Sequence, residues 1–499
     1  MEGKSGRGAL LDHHDFAGVG GIVNVEIALI DIGTEAENMK ALSHRRVLVL
    51  GLGLTGFSLT RHLSRCGAQV AAADTRKMPP YAEQIRRGWP QVNLHCGELV
   101  PALFDSIDMI AISPGVAKDQ PLIQQAVARG VELIGDIELF ARALPKDQKV
   151  LAITGTNGKT TTTALTCALC EAAGLTAIAA GNIGDAALDV LEKCESVGVW
   201  PDVFVLELSS YQLETTTTLT PTAATVLNVS ENHLDRYPDV DAYAATKAMI
   251  FRRARQQVLN ADDARVATMR VAGLPAQWFG RNAPAGVVTS WRLAEHHEAM
   301  WLMRGTTPLL PTSALALAGS HNAMNALAAL ALTSCVVTMD EMVLETVLAV
   351  LASFCGLPHR MEEIAIIDGV RYTNDSKATT VTATQAALDG MASPVILIAG
   401  GDGKGQDFAP LAATAARYCR TVLLIGRDAP QIEASLANHG AAFEHCGTLA
   451  EAVTRARVLA QTGDTVLLSP ACASLDQFSD YTVRGQTFAE AVRTMRDAT

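Results

Sequence analysis

The segment Val150-Leu-Ala-Ile-Thr-Gly-Thr-Asn-Gly-Lys-Thr-Thr-Thr-Thr163 constrains this chain more than any other. An apolar run enters a turn with two glycines, meets Lys159 and Thr160, and continues into a helix-forming stretch over 164–173. Strand, phosphate loop and helix in that order demand a layered α/β domain. The glycines let backbone N–H groups close on phosphate oxygens, Lys159 adds a point charge, and the Thr160 hydroxyl can reach Mg2+. The helix N-terminus contributes its own positive end. The general pattern places a glycine six residues before the lysine, and Ile153 stands there instead. The loop is therefore a variant nucleotide site.

At ~100–200 residues per domain, 499 residues suggest about three domains. A formal charge of −12 argues against a general nucleic-acid binder, though local Lys and Arg still decide anionic small molecules. Every apolar run is broken by charge before the ~18–20 residues that a membrane span needs. The ten cysteines show no zinc or disulfide spacing, and Cys167 and Cys170 read as core packing. Reduced thiols and the lack of a secretory pattern point to the cytoplasm. The Gly-rich acidic stretch 1–38 reads either as a genuine arm or as an over-extended start ahead of Met39.

Three α/β blocks follow that extension (1–40). The first, 41–144, opens with Arg46-Val-Leu-Val-Leu-Gly-Leu-Gly-Leu-Thr-Gly56, a strand entering G-x-G-x-x-G and a helix through Cys66. A second strand, 69–73, ends in Asp74-Thr75-Arg76, and another, 109–112, runs into Ser113. This is a Rossmann-like mononucleotide-binding half, whose strand ends face the ligand crevice. The central block, 145–356, has continuous apolar runs at 150–154, 177–180, 203–208, 224–228 and 257–259, as expected of a mostly parallel sheet covered on both faces. The last block, 357–499, has strands at 395–399, 421–425 and 465–468 alternating with helices, and again reads as Rossmann-like.

Chemistry concentrates at the strand ends. Glu207 closes a hydrophobic run, where a carboxylate is rare unless paired or bound to metal. After a phosphate loop it reads as a second Mg2+ ligand, with a salt-bridged Glu as the alternative. His233 follows the next strand as a candidate ligand or base, or as a loop histidine. Lys247 lies on a helix among apolar residues, where a snorkelling stem is the plain reading. Asn322 and Asn325 sit at i and i+3 at a helix start, placed for an adenine edge or for capping. Arg360 could hold phosphate across a cleft. Asn374-Asp375-Ser-Lys377-Ala-Thr379, Gly400-Gly-Asp-Gly-Lys404 and Ser469-Pro-Ala-Cys-Ala-Ser474-Leu475 form three strand-end loops suited to a small carboxylate-bearing molecule.

Together these segments resemble the Mur ligase family, from about Arg45 to the C-terminus. Gly155-Thr156-Asn157-Gly158-Lys159-Thr160-Thr161 is similar to that family's form of the phosphate loop, which accounts for Ile153. Gly181-Asn182-Ile-Gly184, Leu206-Glu-Leu-Ser-Ser210, His233-Leu-Asp-Arg236, Gly356-Leu-Pro-His-Arg360 and Leu468 to Phe478 also match, in order. The resemblance implies a three-domain, ATP-dependent ligase that joins D-glutamate to UDP-N-acetylmuramoyl-L-alanine through an acyl phosphate. The aspartate–asparagine–proline–arginine motif of the diamino-acid-adding relative is absent.

By resemblance, the loop residues 155–161 with Asn322, Asn325, Arg360 and Asp375 would bind ATP. Lys159, Glu207, His233 and Lys247 would be catalytic, and Thr160, Glu207, His233 and Lys247 would hold metal, with two Mg2+ ions. Leu54, Thr55, Asp74, Thr75, Arg76, Ser113, Asn182 and Ser209 would bind the UDP substrate. Lys377, Thr379, Lys404, Ser474, Leu475 and Tyr481 would bind D-glutamate. Lys247 resembles the family's carbamylated lysine, in which CO2 added to a neutral amine creates an anionic oxygen ligand; desolvation would supply the neutral amine. A monomer acting on small molecules, without nucleic acid or membrane span, is expected. Two departures stand out: Asn232 replaces the usual Asp before the metal-site His, and Tyr481 supplies the aromatic at the glutamate pocket. Another Mur-type or folylpolyglutamate-type ligase, and a Rossmann oxidoreductase, are the rival readings.

Overall fold

The computed structural model describes residues 41–230, 236–317, 319–389, 391, 393–403 and 405–497. The extension 1–40, Asn232, His233 and Lys404 lie outside the described residues.

Three sheets follow one another along the chain. In the first, β1 (Arg46–Leu50), β2 (Gln69–Asp74), β3 (Asn93–Cys96), β4 (Met109–Ile112) and β5 (Glu132–Ile134) take the order β3-β2-β1-β4-β5, all parallel. The order reverses between β1 and β4. That is where a doubly wound sheet opens its crevice, and the glycine turn after β1 and Ser113 after β4 stand side by side there. Helix α1 (Leu54–Arg65) covers one face, and α2 (Asp136–Ala143) leads into the second sheet.

The central sheet is larger than the periodicity suggests. Its parallel members are β6 (Lys149–Thr154), β7 (Ala177–Gly181), β8 (Val203–Glu207), β9 (Ala223–Val226), β10 (Gln257–Asn260), β11 (Ala276–Gly280) and β12 (Ser290–His296). Two antiparallel edge strands, β13 (Ala299–Arg304) and β14 (Thr307–Pro311), complete the order β14-β13-β12-β11-β10-β9-β6-β8-β7. Strands β6 and β8 are buried almost end to end, because helices cover both faces. These include α3 (Lys159–Ala172), α4 (Ala187–Val197), α5 (Ser210–Leu213), α6 (Val240–Ala248) and α7 (Ser320–Thr333). Helix α3 starts at Lys159 itself, five residues before the apolar stretch expected to begin it, because the loop backbone turns directly into the first helical turn.

The third sheet contains β15 (Glu362–Ile367), β16 (Val370–Asn374), β17 (Val395–Gly400), β18 (Cys419–Ile425), β19 (Phe443–Gly447) and β20 (Thr465–Leu468), in the order β15-β16-β20-β17-β18-β19. Strands β16, β20 and β17 are adjacent and parallel, so the three loops singled out above leave the sheet at one edge, next to one another. Helix α8 (Tyr481–Asp497) closes the chain against β15 and β16. One continuous core joins the first two sheets, including the edge-to-face pair Phe140–Phe204 at 5.3 Å between α2 and β8. Cys167 and Cys170 face helix and sheet neighbours, and burial pushes both thiols up to about 12, as expected of packing residues. No helix among the described residues is long and apolar enough to cross a membrane.

Candidate functional site

The phosphate loop is held by its neighbour strand. Beyond β9, the Asn228 carbonyl accepts the Thr156 N–H at 2.9 Å, its Oδ1 accepts the Asn157 N–H at 2.9 Å, and its Nδ2 donates to the Asn157 carbonyl at 3.1 Å. Sequence reasoning passed over Asn228, taking it as the last residue of a strand. The Asn-Val-Ser end of an apolar run beside a phosphate loop was the available signal. Gly158 caps α3 with φ +80°, and a Cβ there would lie 2.4 Å from Asn325 Oδ1, so the amide of α7 packs directly on the turn. Asn325 Nδ2 donates to Asn322 Oδ1 at 3.3 Å. Gly319 is the helix N-cap, so neither amide fills that role. The first turn of α3, with Thr160 and Thr161, carries no acidic side chain and leaves its N–H groups for an anion.

Two lysines converge on this loop. Lys159 Nζ donates to the carbonyls of Gly155 at 2.9 Å and Thr156 at 2.8 Å. Lys247 Nζ donates to the same Gly155 carbonyl at 3.0 Å and lies 4.4 Å from the centre of the Tyr243 ring. Lys247 is only 1% exposed, which overturns the snorkelling reading of its stem. Burial first, and the Lys159 charge second, pull its amine down to about 6, so it is largely neutral at pH 7. Burial also lowers Lys159, opposed by the Glu207 carboxylate.

Glu207 is buried at the end of β8. Its Oε1 accepts from Asn182 Nδ2 at 2.8 Å, while its Oε2 is buried without a hydrogen-bond partner among the described residues. The salt-bridge alternative fails for this residue among the described residues. An orphaned carboxylate oxygen beside a phosphate loop is the vacancy in bonding that a hard cation satisfies. The residues present therefore fit ATP and Mg2+. Ser209 caps α5, accepting the Gln212 N–H at 3.2 Å in a reciprocal capping box.

At the first sheet, Asp74 is buried and fully engaged. It accepts the Leu52 N–H at 2.7 Å, the Arg76 N–H at 2.9 Å and both Arg76 Nε and Nη2. Burial raises its carboxyl, but the Arg76 guanidinium and these amides outweigh that and hold it below the ordinary range. Leu54, Thr75 and Arg76 stay accessible around it. Gly56 approaches the first glycine of the turn so closely that a Cβ would lie 1.7 Å from the Gly51 carbonyl oxygen. Ser113 Oγ donates to that oxygen at 2.8 Å. Arg236 ties this crevice to the central sheet: it donates to Val116 O and Glu214 Oε2, each at 3.3 Å, and stacks over Tyr211.

At the third sheet, Asp375 Oδ2 accepts from Ser469 Oγ at 2.8 Å, and Asp375 N donates to Leu468 O at 2.7 Å, joining the loops after β16 and β20. Burial pushes this carboxyl up to about 7, against the Ser469 hydroxyl, the Met361 amide and the Arg360 charge. Lys377 Nζ sits 3.9 Å from the centre of the Tyr481 ring. Thr379 N donates to Lys377 O at 2.8 Å. Asp402 pairs with Ala473 in a β-bridge, bringing the loop after β17 against buried Ser474 and exposed Leu475.

The three parts match three family models in sequence: the Mur ligase MurD-like N-terminal domain over residues 45–135, the Mur ligase middle domain over 153–333, and the Mur ligase glutamate ligase domain over 359–472. The chain is 49% identical to the UDP-N-acetylmuramoylalanine–D-glutamate ligase of Nitrosomonas europaea, over 90% of this chain and 96% of that one. It is also 49% identical to the enzyme of the same name from Methylobacillus flagellatus, over 91% and 98%. The solved UDP-N-acetylmuramate-alanine ligase of Thermotoga maritima superimposes with a TM-score of 0.51 at 18% identity, covering 91% of this chain and all of that one, which is a likeness of fold.

Proposed function

Because this chain belongs to the Mur ligase family, we propose that it joins D-glutamate to UDP-N-acetylmuramoyl-L-alanine, with ATP, in peptidoglycan precursor synthesis. It is a ligase, and its family makes the reaction ATP-dependent. The observation that carries the mechanism is a phosphate loop with a largely neutral buried lysine bonded to it and, acting on its Lys159, a carboxylate with one oxygen unpartnered among the described residues.

A carboxylate is a poor electrophile at neutral pH. The substrate carboxylate attacks the γ-phosphorus, ADP leaves, and an acyl phosphate forms. The D-glutamate amine then attacks the acyl carbon, and phosphate and a proton depart. The chain's part is position and charge. The N–H groups of 155–161 and the Lys159 ammonium would receive the phosphates, and Asn322 and Asn325 would face the base. Arg360 and Asp375 would approach the nucleotide from the third sheet. Glu207 and Thr160, with a Lys247 carbamate, would hold Mg2+, which when bound spreads the charge of the transferring phosphoryl group. The first-sheet crevice would take the uridine diphosphate, with Asp74 shaping the turn and Arg76 and Ser113 at its edge. Lys377, Thr379, Ser474, Leu475 and Tyr481 would surround D-glutamate.

Phosphate release with UDP-N-acetylmuramoyl-L-alanine, comparing D-glutamate, L-glutamate and meso-diaminopimelate, tests the assignment; no preference for D-glutamate overturns it. Lys247→Ala should be inactive and regain activity with short carboxylic acids. Full activity of the unrescued variant would remove the carbamate.

A further inference from the structure

The start of α8 contains a charge that the chemistry above does not use. Arg484 is 1% exposed, yet its bonded partners are all neutral. Its Nε donates to Ser376 Oγ at 3.0 Å, its Nη2 to Ser376 O at 2.9 Å, and its Nη1 to Cys472 O at 3.0 Å. Ser376 Oγ in turn donates to Tyr481 O at 2.8 Å. No ion pair to a carboxylate involves it among the described residues. A buried cation with no carboxylate bonded to it, only the nearby charge of Asp476, is costly, and an apolar side chain of similar volume would fill the space more cheaply.

The position explains what the charge could serve. The planar fork joins the loop after β16 (through Ser376), the loop after β20 (through Cys472) and the first turn of its own helix. Lys377 follows Ser376 directly and lies over Tyr481, while Cys472 precedes Ala473, which bridges to Asp402 in the third loop. All three loops of the candidate amino-acid site are thus referenced to one guanidinium, whose charge, only partly offset by the nearby Asp476 carboxylate, favours an anionic guest.

We propose that Arg484 is a positioning residue for the acidic amino acid, fixing Lys377, Tyr481 and the Ser474 loop relative to one another and adding positive potential to their pocket. The inference rests on the D-glutamate reading above. It is tested in the full chain with Arg484→Met, Arg484→Lys, Arg484→Ala and Ser376→Ala, each assayed by phosphate release against all three substrates. Arg484→Met should raise the D-glutamate KM by about tenfold or more, with the KM for ATP and for the UDP substrate within about twofold of the parent. Guanidinium ion should restore part of the D-glutamate affinity of Arg484→Ala. Ser376→Ala, which keeps the charge and loses one tie, should raise the same KM by a smaller factor.

A structural strut alone would lower the melting temperature, or all three affinities together, and that result overturns the proposal. If Arg484→Met does not fold, an unchanged D-glutamate KM in both Arg484→Lys and Ser376→Ala overturns it. Absence of D-glutamate-dependent release in the parent protein is a different result: it removes the function reading, and the inference with it.

Discussion

Asp136 and His62 show how single buried groups set opposite responses to pH. Asp136 is 3% exposed; its Oδ2 accepts from Gln212 Nε2 at 3.1 Å, and its Oδ1 has no hydrogen-bond partner among the described residues. Burial raises its carboxyl from 3.8 to about 6, so between those values the native state binds more protons than the unfolded state. Stability therefore falls as pH rises through that window. Asp136→Asn should stabilise the protein at pH 8 by about 2–3 kcal/mol and lose that advantage below pH 4, read from denaturant midpoints. His62 runs the other way. Burial, then Arg65 and Arg61, lower its imidazole from 6.5 to about 4, so the native state binds fewer protons in that range. Stability is lost as pH falls from 6.5 to 4, and His62→Leu should flatten that slope in the same titration; an unchanged slope would show that His62 does not carry it.

The N-terminal turn of α3 is the element on which nucleotide binding depends. Its capping glycine holds φ +80° and leaves no room for a Cβ against Asn325. Gly158→Ala should cost about 1–2 kcal/mol in stability and weaken ATP binding by at least about tenfold, measured by calorimetric titration. Equal affinity in the variant would mean that the contact with Asn325 does not set the loop. The same element shows the reach of pattern reading. The 150–154 run was legible as β6 because a strand covered on both faces is apolar throughout. Strands β13 and β19 escaped notice: Ala299–Arg304 is a short apolar run without alternation, Phe443–Gly447 mixes apolar and polar residues, and neither is buried throughout. Their strand character comes from the ladders they join, β13 between β12 and β14 in successive hairpins and β19 beside β18 at the sheet edge.

Across the whole molecule, the first two sheets are locked by charge as well as by core. Arg61 of α1 pairs with Asp189 at 2.6 Å and Glu192 at 2.9 Å on α4, and Arg65 pairs with Glu195 on the same helix. These pairs are only partly exposed, so screening by salt is incomplete. Arg61→Glu should set like charges together and split calorimetric unfolding, the first sheet melting ahead of the second; one unaltered transition would count against this coupling. The phosphate loop, the G-x-G-x-x-G turn, the α/β class and the family were determined by sequence alone, because each depends on residues near one another in the chain. The clamp of Asn228 on the loop, the burial that neutralises Lys247, the free oxygen of Glu207 and the fork of Arg484 were decided only by tertiary structure. Each depends on desolvation or on partners brought in from other strands and helices, and neither quantity exists until the sheets have packed.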